Sequence, residues 1–389
     1  MPAPVMPAHL LMTTDGVGGV WTYALDLARE LTAAGTRITL AVLGPSAQPD
    51  QRAAAGAVPG LELIDTGLPL DWMAEDPAAV RRSAVALGAL ARRLGVDLIH
   101  LNSPALAAEA GFEAPVVGVC HSCPATWWAA VRGGTMPEDV RWRTEALRCG
   151  YGACDALVAP SAAFAEATAA LYGVPAPVVV RNGRRPAGIV AARRERLVFT
   201  AGRLWDDGKN VAALDAAAAR LDAPLVAAGP LDGPGGGHRT LLHALPLGRL
   251  DATSVAGWLA RAPVFASMAL YEPFGLTVLE AAQAGCALVL SDIATFRELW
   301  DGVAFFVDPQ DGAGLEAALR RLLDDPAEAA CRGGAARQRA RRYRPEPFAA
   351  GMRTVYRAVL AHHAAKVVRP GPAYPDSSPL DPVRREAIA

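Results

Sequence analysis

A chain of 389 residues is too long for one ordinary hydrophobic core, so two α/β domains are expected. Hydrophobic residues make up 52% of it, enough to bury both, and the formal net charge of −1 gives no field favouring nucleic acid or an anionic membrane. Six cysteines at this length do not form a disulfide framework.

The opening segment, Met1 to Thr14, lacks a basic leader region, and no apolar run approaches the ~20 residues needed to cross a bilayer, so a cytoplasmic protein is expected. His9 to Thr13 reads as a first strand, and Asp15-Gly-Val-Gly-Gly19 as a glycine turn. A helix follows, with Val20, Tyr23, Leu27 and Leu31 on one face, stopped by Gly35. The turn superficially resembles a dinucleotide fingerprint, but its third glycine position is Trp21, and the second strand ends at Leu43-Gly-Pro without an acidic residue. It also lacks the Gly-Lys-Ser/Thr ending of a P-loop. A turn that lets backbone approach a phosphate or sugar remains.

Further strands are expected at Arg37–Leu43, Asp97–Leu101, Val116–Cys120, Ala156–Ala159 and Val178–Arg181. His121 follows the fourth of these six strands and suits a sugar hydroxyl, a catalytic acid or base, or a structural role. Cys120 and Cys123, with Cys149 and Cys154, admit a zinc or redox site, although thiols at the end of an apolar strand suit packing better. Trp127, Trp128, Arg132, Trp142 and Arg143 line an acceptor groove or pack. Arg81, Arg82, Arg92 and Arg93 share one helix, which reads as a solvated face or a peripheral membrane contact.

Residues 185–196, proline- and arginine-rich, read as a hinge between a domain at 1–184 and another at 197–344. The second domain alternates again, with strands near Leu197–Ala201, Leu225–Ala228, Val264–Ala266, Ala287–Leu290 and Ala304–Val307. Gly233 to Gly237 is a glycine-rich loop. A last helix over Phe348–His363 lies within a 345–366 segment, and a polar, proline-rich tail fills 367–389.

Two segments of the second domain carry chemistry. Arg203 and Lys209 bracket a polar turn at a strand end, a sensible clamp for a diphosphate leaving group, or else a loop paired internally by Asp206 or Asp207. In Tyr271–Cys286, Pro273 and Gly275 suit a turn and Leu276–Ala284 a helix. Its first amides, at Gly275, Leu276 and Thr277, form an anion site, with Glu272 ahead of the helix and Glu280 a turn inside. Glu280 reads equally as a solvated helix residue. No metal constellation is present, because no Asp-x-Asp ends a strand and no His-x-x-x-His lies on a helix.

In order, these segments resemble the family 4 retaining glycosyltransferases, over about His9 to His363. The most specific match is the Glu-x7-Glu motif, Glu272 to Glu280, with Pro-Phe-Gly-Leu and Glu-Ala-Ala-Gln-Ala-Gly in place. Gly18-Gly19-Val20, Gly202-Arg203-Leu204, Val158-Ala-Pro-Ser161, Val180-Arg-Asn-Gly183, Ala228-Gly-Pro230, Leu247-Gly-Arg249 and Ser291–Leu299 support it. The resemblance implies the α/β GT-B fold: two Rossmann-like doubly wound domains facing a cleft, the final helix crossing back onto the first.

It also implies a nucleotide-sugar donor, a saccharide, lipid or small-molecule acceptor, retention of configuration, and no cofactor or metal. Arg203 and Lys209 would hold the diphosphate, with Gly18 and Gly19 closing on it, and Glu280 the ribose. Glu272 and the Phe274–Leu276 backbone would hold the donor sugar, with His121 beside it. Between Arg203 and Lys209 there is one residue more than the commonest family spacing, and Asn210 stands where Gly is usual. A nucleotide-sugar epimerase or hydrolase, or a non-catalytic sugar-nucleotide binder, are the rival readings.

Overall fold

The computed structural model describes residues 6–186, 188, 192–233 and 236–368. Two parallel sheets account for most of them. The first contains β1 (His9–Asp15), β2 (Arg37–Leu43), β3 (Leu61–Asp65), β4 (Leu98–Leu101), β5 (Val116–Val119), β6 (Ala156–Ala159) and β7 (Val178–Val179). Its order is β3-β2-β1-β4-β5-β6-β7, every pairing parallel. The second contains β8 (Val198–Ala201), β9 (Leu225–Ala228), β10 (Leu245–Pro246), β11 (Val264–Ser267), β12 (Ala287–Ser291) and β13 (Phe305–Val307), in the order β10-β9-β8-β11-β12-β13.

Parallel strands covered by helices on both faces should be apolar throughout, and β1 is buried at every residue. The order of each sheet reverses beside its first strand, between β1 and β4 and between β8 and β11. Ligands bind such sheets in the crevice outside the strand carboxyl ends at that reversal. The glycine turn leaves β1 there, and Arg203 follows β8 there.

The first helix, Gly19–Ala33, buries Trp21, Tyr23, Ala24, Leu25, Asp26, Leu27, Ala28 and Leu31. Val20, expected on its buried face, is only partly covered, and Trp21 is inside. The last helix, Pro345–Val368, starts from the second unit and returns to the first. Phe348, Met352, Val355, Tyr356 and Val359, at helical spacing, join one core with Leu27, Leu31 and Val117. Gly351 and Gly183 allow the close approach: a β-carbon on Gly351 would lie 2.8 Å from Val180 Cγ1, and one on Gly183 2.1 Å from the Arg344 carbonyl oxygen.

Sequence patterning had no strand at Leu61–Asp65 or Leu245–Pro246; both border their sheets, where half-exposed or short pairing leaves weak patterning. The expected tail over 367–389 lies almost wholly outside the described residues, as do part of the hinge and of the Gly233–Gly237 loop. Among the described residues no helix is long and apolar enough to cross a membrane. The helix carrying the four arginines runs Pro77–Leu94, with Arg81 near Glu109 at 3.5 Å and Arg92 donating to the Gly111 carbonyl.

Candidate active site

A cavity of about 390 Å³ lies between the two sheets' carboxyl ends. Gly18, Gly19, His121, Arg203, Lys209, Glu272, Phe274, Gly275, Leu276, Thr277 and Glu280 all line it. Every residue expected in the site therefore reaches one space, contributed by both units.

The glycine turn and the second unit meet directly across it. A β-carbon on Gly19 would lie 3.3 Å from Leu276 Cδ1, and one on Gly18 3.9 Å from Arg203 Nη1. A side chain at Gly19 would crowd Leu276, and one at Gly18 would touch Arg203. The turn itself is held by Asp15, whose Oδ1 accepts from the Val17 N–H at 2.9 Å.

Helix Leu276–Gln283 starts at Gly275, whose φ of +88° an L side chain rarely tolerates. Its first intrahelical bond runs from the Leu279 N–H to the Gly275 carbonyl. Among the described residues no protein acceptor meets the N–H groups of Gly275, Leu276 and Thr277, and these three residues line the cavity at a helix N-terminus, where backbone N–H groups suit an anion.

Lys209 and Glu272 meet at 2.6 Å between Nζ and Oε2, both largely covered. Lys209 closes a single 3-10 turn, Asp207–Lys209, and Asn210 follows with φ +48°. Asparagine tolerates this left-handed conformation better than most side chains, so Asn210 does what the usual glycine does. The turn absorbs the longer Arg203–Lys209 spacing and still brings Lys209 to the cavity.

Asp206 organises the same turn. Its Oδ1 accepts from the Gly208 N–H at 2.9 Å and from Trp127 Nε1 at 3.1 Å, and its Oδ2 from Arg203 Nη2 at 2.9 Å. Burial pushes its carboxyl up, but the Arg203 and Lys209 charges and these hydrogen bonds outweigh that and hold it below the usual range. Arg203 is thus aimed by an ion pair while remaining partly exposed.

Glu280 differs from the sequence expectation in one respect. Its Oε1 is engaged by Arg184 Nε at 2.5 Å, and Arg184 also reaches Asp26 Oδ2 at 3.3 Å. This Asp26–Arg184–Glu280 chain spans the first helix, the hinge approach and the second unit. Arg184 is the last residue of the first domain as read from the sequence, and nothing in its local pattern marks a partner so distant in sequence. Burial raises the carboxyl of Glu280, with Arg184 opposing and Asp26 reinforcing; burial likewise raises Asp26 against Arg184 and Arg29.

Arg184→Ala should therefore cost about 2 kcal/mol at pH 7.5, less than loss of a partner from a fully buried pair. Both carboxyls then have folded-state values further above their unfolded ones, a penalty felt at high pH that fades as falling pH protonates them. Melting curves at pH 7.5 and 5.5 should show the deficit shrinking at the lower pH.

His121, just past β5, is lowered to about 3 by burial and by the nearby His100, so it is uncharged at neutral pH. Its Nε2 lies 2.7 Å from Asn102 Oδ1, a partner that spacing did not reveal. The aromatic and basic residues after it do not line the cavity. Trp127 and Arg132 reach across the gap to Asp206 and Asp207, while Arg143 lies over the Trp142 ring at 4.3 Å and donates to the Ala74 carbonyl.

The cysteines pack rather than converge. Cys120 and Cys123 are buried, Cys149 is exposed, and among the described residues no group of three or more His, Cys, Asp or Glu could hold a metal ion. Burial pushes the Cys120 thiol up to about 12, which makes it unreactive.

Polar contacts cross the seam beside the cavity. Ser161 Oγ donates to the Pro273 carbonyl at 2.8 Å, and Tyr271 Oη lies 2.8 Å from Thr126 Oγ1 and accepts from the Cys123 N–H at 3.1 Å. Glu298 accepts from the Ala162 and Ala163 N–H groups and from Arg181.

Comparison with known proteins agrees with this architecture. Residues 17–187 match the model for Glycosyltransferase Family 4, and residues 195–325 that for Glycosyl transferases group 1. The chain is 29% identical over 371 residues to a glycogen synthase of Mycobacterium tuberculosis, covering 83% of this chain and 86% of that protein. It is 28% identical over 392 residues to a phosphatidyl-myo-inositol mannosyltransferase of Mycolicibacterium smegmatis, covering 89% and 91%. The fold matches sucrose-phosphate synthase from Thermosynechococcus elongatus with a TM-score of 0.71 at 19% identity, over 91% of this chain and 99% of that one. The chain belongs to the family 4 glycosyltransferases, enzymes of nucleotide-sugar-dependent glycosyl transfer, and has their two-domain GT-B fold.

Proposed function

We propose that this enzyme transfers a hexosyl group from a nucleoside-diphosphate sugar to a hydroxyl of a saccharide, lipid or small-molecule acceptor, retaining anomeric configuration and using no divalent metal. The observation that carries the reading is the convergence of Arg203, Lys209 and the free amides of Gly275–Thr277 on one cavity, opposite Gly18 and Gly19. Two cations and a helix end supply the positive field that a departing diphosphate needs as the bond to the anomeric carbon breaks.

A diphosphate at this corner competes with Glu272 for Lys209, and Glu272 is then free to accept a hydroxyl of the sugar. A ribose at Glu280 similarly competes with Arg184. The acceptor hydroxyl attacks on the face from which the diphosphate leaves. Its oxygen bonds to the anomeric carbon, the carbon–phosphate-oxygen bond breaks, and a phosphate oxygen takes the proton. Support comes from the two carboxylates lining the cavity, Glu272 and Glu280. On this reading both are occupied by donor hydroxyls, Glu272 by the sugar and Glu280 by the ribose, which leaves no lining carboxylate for a double displacement through the enzyme.

Nuclear magnetic resonance of the freshly formed product should show the donor's own anomeric configuration, and turnover should be unaffected by EDTA. An inverted product, or loss of turnover restored only by a divalent ion, would contradict the proposal. Donor cleavage equally fast with and without acceptor would favour a hydrolase.

A further inference from the structure

Behind His121 a line of buried polar side chains runs from the cavity wall to the returning helix. Asn102, just past β4, stands between two imidazoles: its Oδ1 lies 2.7 Å from His121 Nε2 and 3.0 Å from His100 Nε2. On its other side, the Asn102 Nδ2 lies 2.6 Å from the Thr13 carbonyl oxygen, and its backbone N–H donates to Thr13 Oγ1 at 2.8 Å. A carbonyl oxygen only accepts, so the amide nitrogen must face Thr13 and the amide oxygen must face the rings. Both Nε2 atoms therefore carry hydrogen and donate.

The rest of the line follows from that assignment. His100 is neutral, lowered to about 4 by burial, so its Nδ1 holds a lone pair and accepts from the Tyr356 hydroxyl at 2.6 Å. Tyr356 belongs to the returning helix and is wholly buried. His121, protonated at Nε2 and uncharged, likewise keeps a lone pair on Nδ1. Among the described residues no protein donor meets that atom, and the Tyr23 ring packs against the imidazole edge to face at 4.4 Å and 80°. The hydrogen-bond polarity is set from behind, and the unengaged atom belongs to a residue of the cavity wall.

We propose that Asn102, backed by His100 and Tyr356, is a positioning residue that holds His121 as the Nε2–H tautomer, so that Nδ1 accepts a hydrogen bond from a hydroxyl of the donor sugar. This rests on the reading above that the sugar lies beside His121. It gives the returning helix a part in the site: the Tyr356 hydroxyl fills the His100 lone pair and so fixes which way that ring donates. It also sets a specificity, because a donor with no hydroxyl to offer at this corner leaves Nδ1 unpaired.

The test begins with the intact wild-type chain and needs no variant. Nitrogen-15 spectra of histidine-labelled protein should show His100 and His121 protonated at Nε2 and bare at Nδ1, unchanged between pH 8 and pH 6. A proton on Nδ1 of His121, or titration in that range, overturns the proposal. Asn102→Asp then keeps an acceptor for both rings but adds a negative charge that raises their affinity for protons. The titratable groups around the ring are His100 and Tyr23, with Tyr356 behind His100 and Arg203, Lys209, Arg249, Tyr271, Glu272 and Glu280 also on the cavity wall.

In Asn102→Asp a protonated His121 turns Nδ1 into a donor, so kcat/KM for the sugar donor should fall about tenfold between pH 8 and pH 5, beyond any change in wild type. A pH profile parallel to that of wild type, in a folded variant, overturns the proposal. Should Asn102→Asp not fold, the wild-type spectra still decide the tautomer. Failure of the transferase reading looks different: no nucleotide sugar is turned over, while the spectra are as expected.

Discussion

Replacing Lys209 with alanine is expected to lower kcat/KM by roughly 100- to 1000-fold, the range found when one preorganised stabiliser of a developing negative charge is removed. The loss should fall mainly on kcat, since charge on the diphosphate grows as the glycosidic bond breaks. Glu272→Ala should be comparably damaging for a different reason: it removes the acceptor proposed for the sugar hydroxyl and releases Lys209 from its 2.6 Å partner. The two effects should not add. Because the residues touch, the double variant should be less impaired than the product of the single losses, and a double-mutant cycle with donor kinetics measures the difference. Both side chains lie at the cavity rather than in a core, so each variant should retain its circular dichroism and unfold cooperatively, with the melting temperature lowered only by the partner left without its counter-charge. Near-normal turnover in both would remove Lys209 and Glu272 from the mechanism.

Gly183→Ala should be among the most destabilising single changes in the chain. The added carbon would lie 2.1 Å from the Arg344 carbonyl oxygen and 2.8 Å from Phe348 Cβ, and the obstructing atom is backbone, which cannot rotate away. The next residue's N–H donates to the Tyr343 carbonyl at 3.1 Å, so the two segments are also bonded together there. Overpacking of this kind costs about 3 kcal/mol, or roughly 5–10 °C in melting temperature for domains of this size. Gly152→Ala is the matched control, because a β-carbon there meets nothing within 4 Å on helix Glu138–Ala153 and alanine favours helix. It should melt at or slightly above the wild-type temperature. The Gly183 variant should also lose activity ahead of unfolding, since displacing the start of the returning helix disturbs Tyr356 and the polar line behind His121.

These residues also show where local reading succeeds. Gly18, Gly19, Arg203, Lys209, Glu272, Gly275 and Glu280 were legible because each belongs to a strand–turn–helix junction, and junction chemistry is written within a few neighbouring positions. Alternation of β-rich and helical runs likewise revealed eleven of the strands, because buried parallel strands are short apolar blocks between turn residues. Arg184, Asn102 and Tyr356 were not legible. Arg184 joins Asp26 to Glu280, and Asn102 meets Thr13, His100 and His121, pairings created only when separate strands and the hinge approach come together. No spacing encodes them. Tyr356 lies within the expected last helix, and its hydroxyl became informative only through its buried partner.

The polar seam between the halves has a kinetic meaning. Bonds such as those of Ser161 with Pro273 and of Glu298 with the Ala162 and Ala163 amides link groups that water solvates readily once they part. Opening along these bonds therefore exchanges protein partners for water partners at modest net cost. On the proposed function a spent nucleotide leaves by way of that opening, so its release is expected to slow in a solvent of raised viscosity.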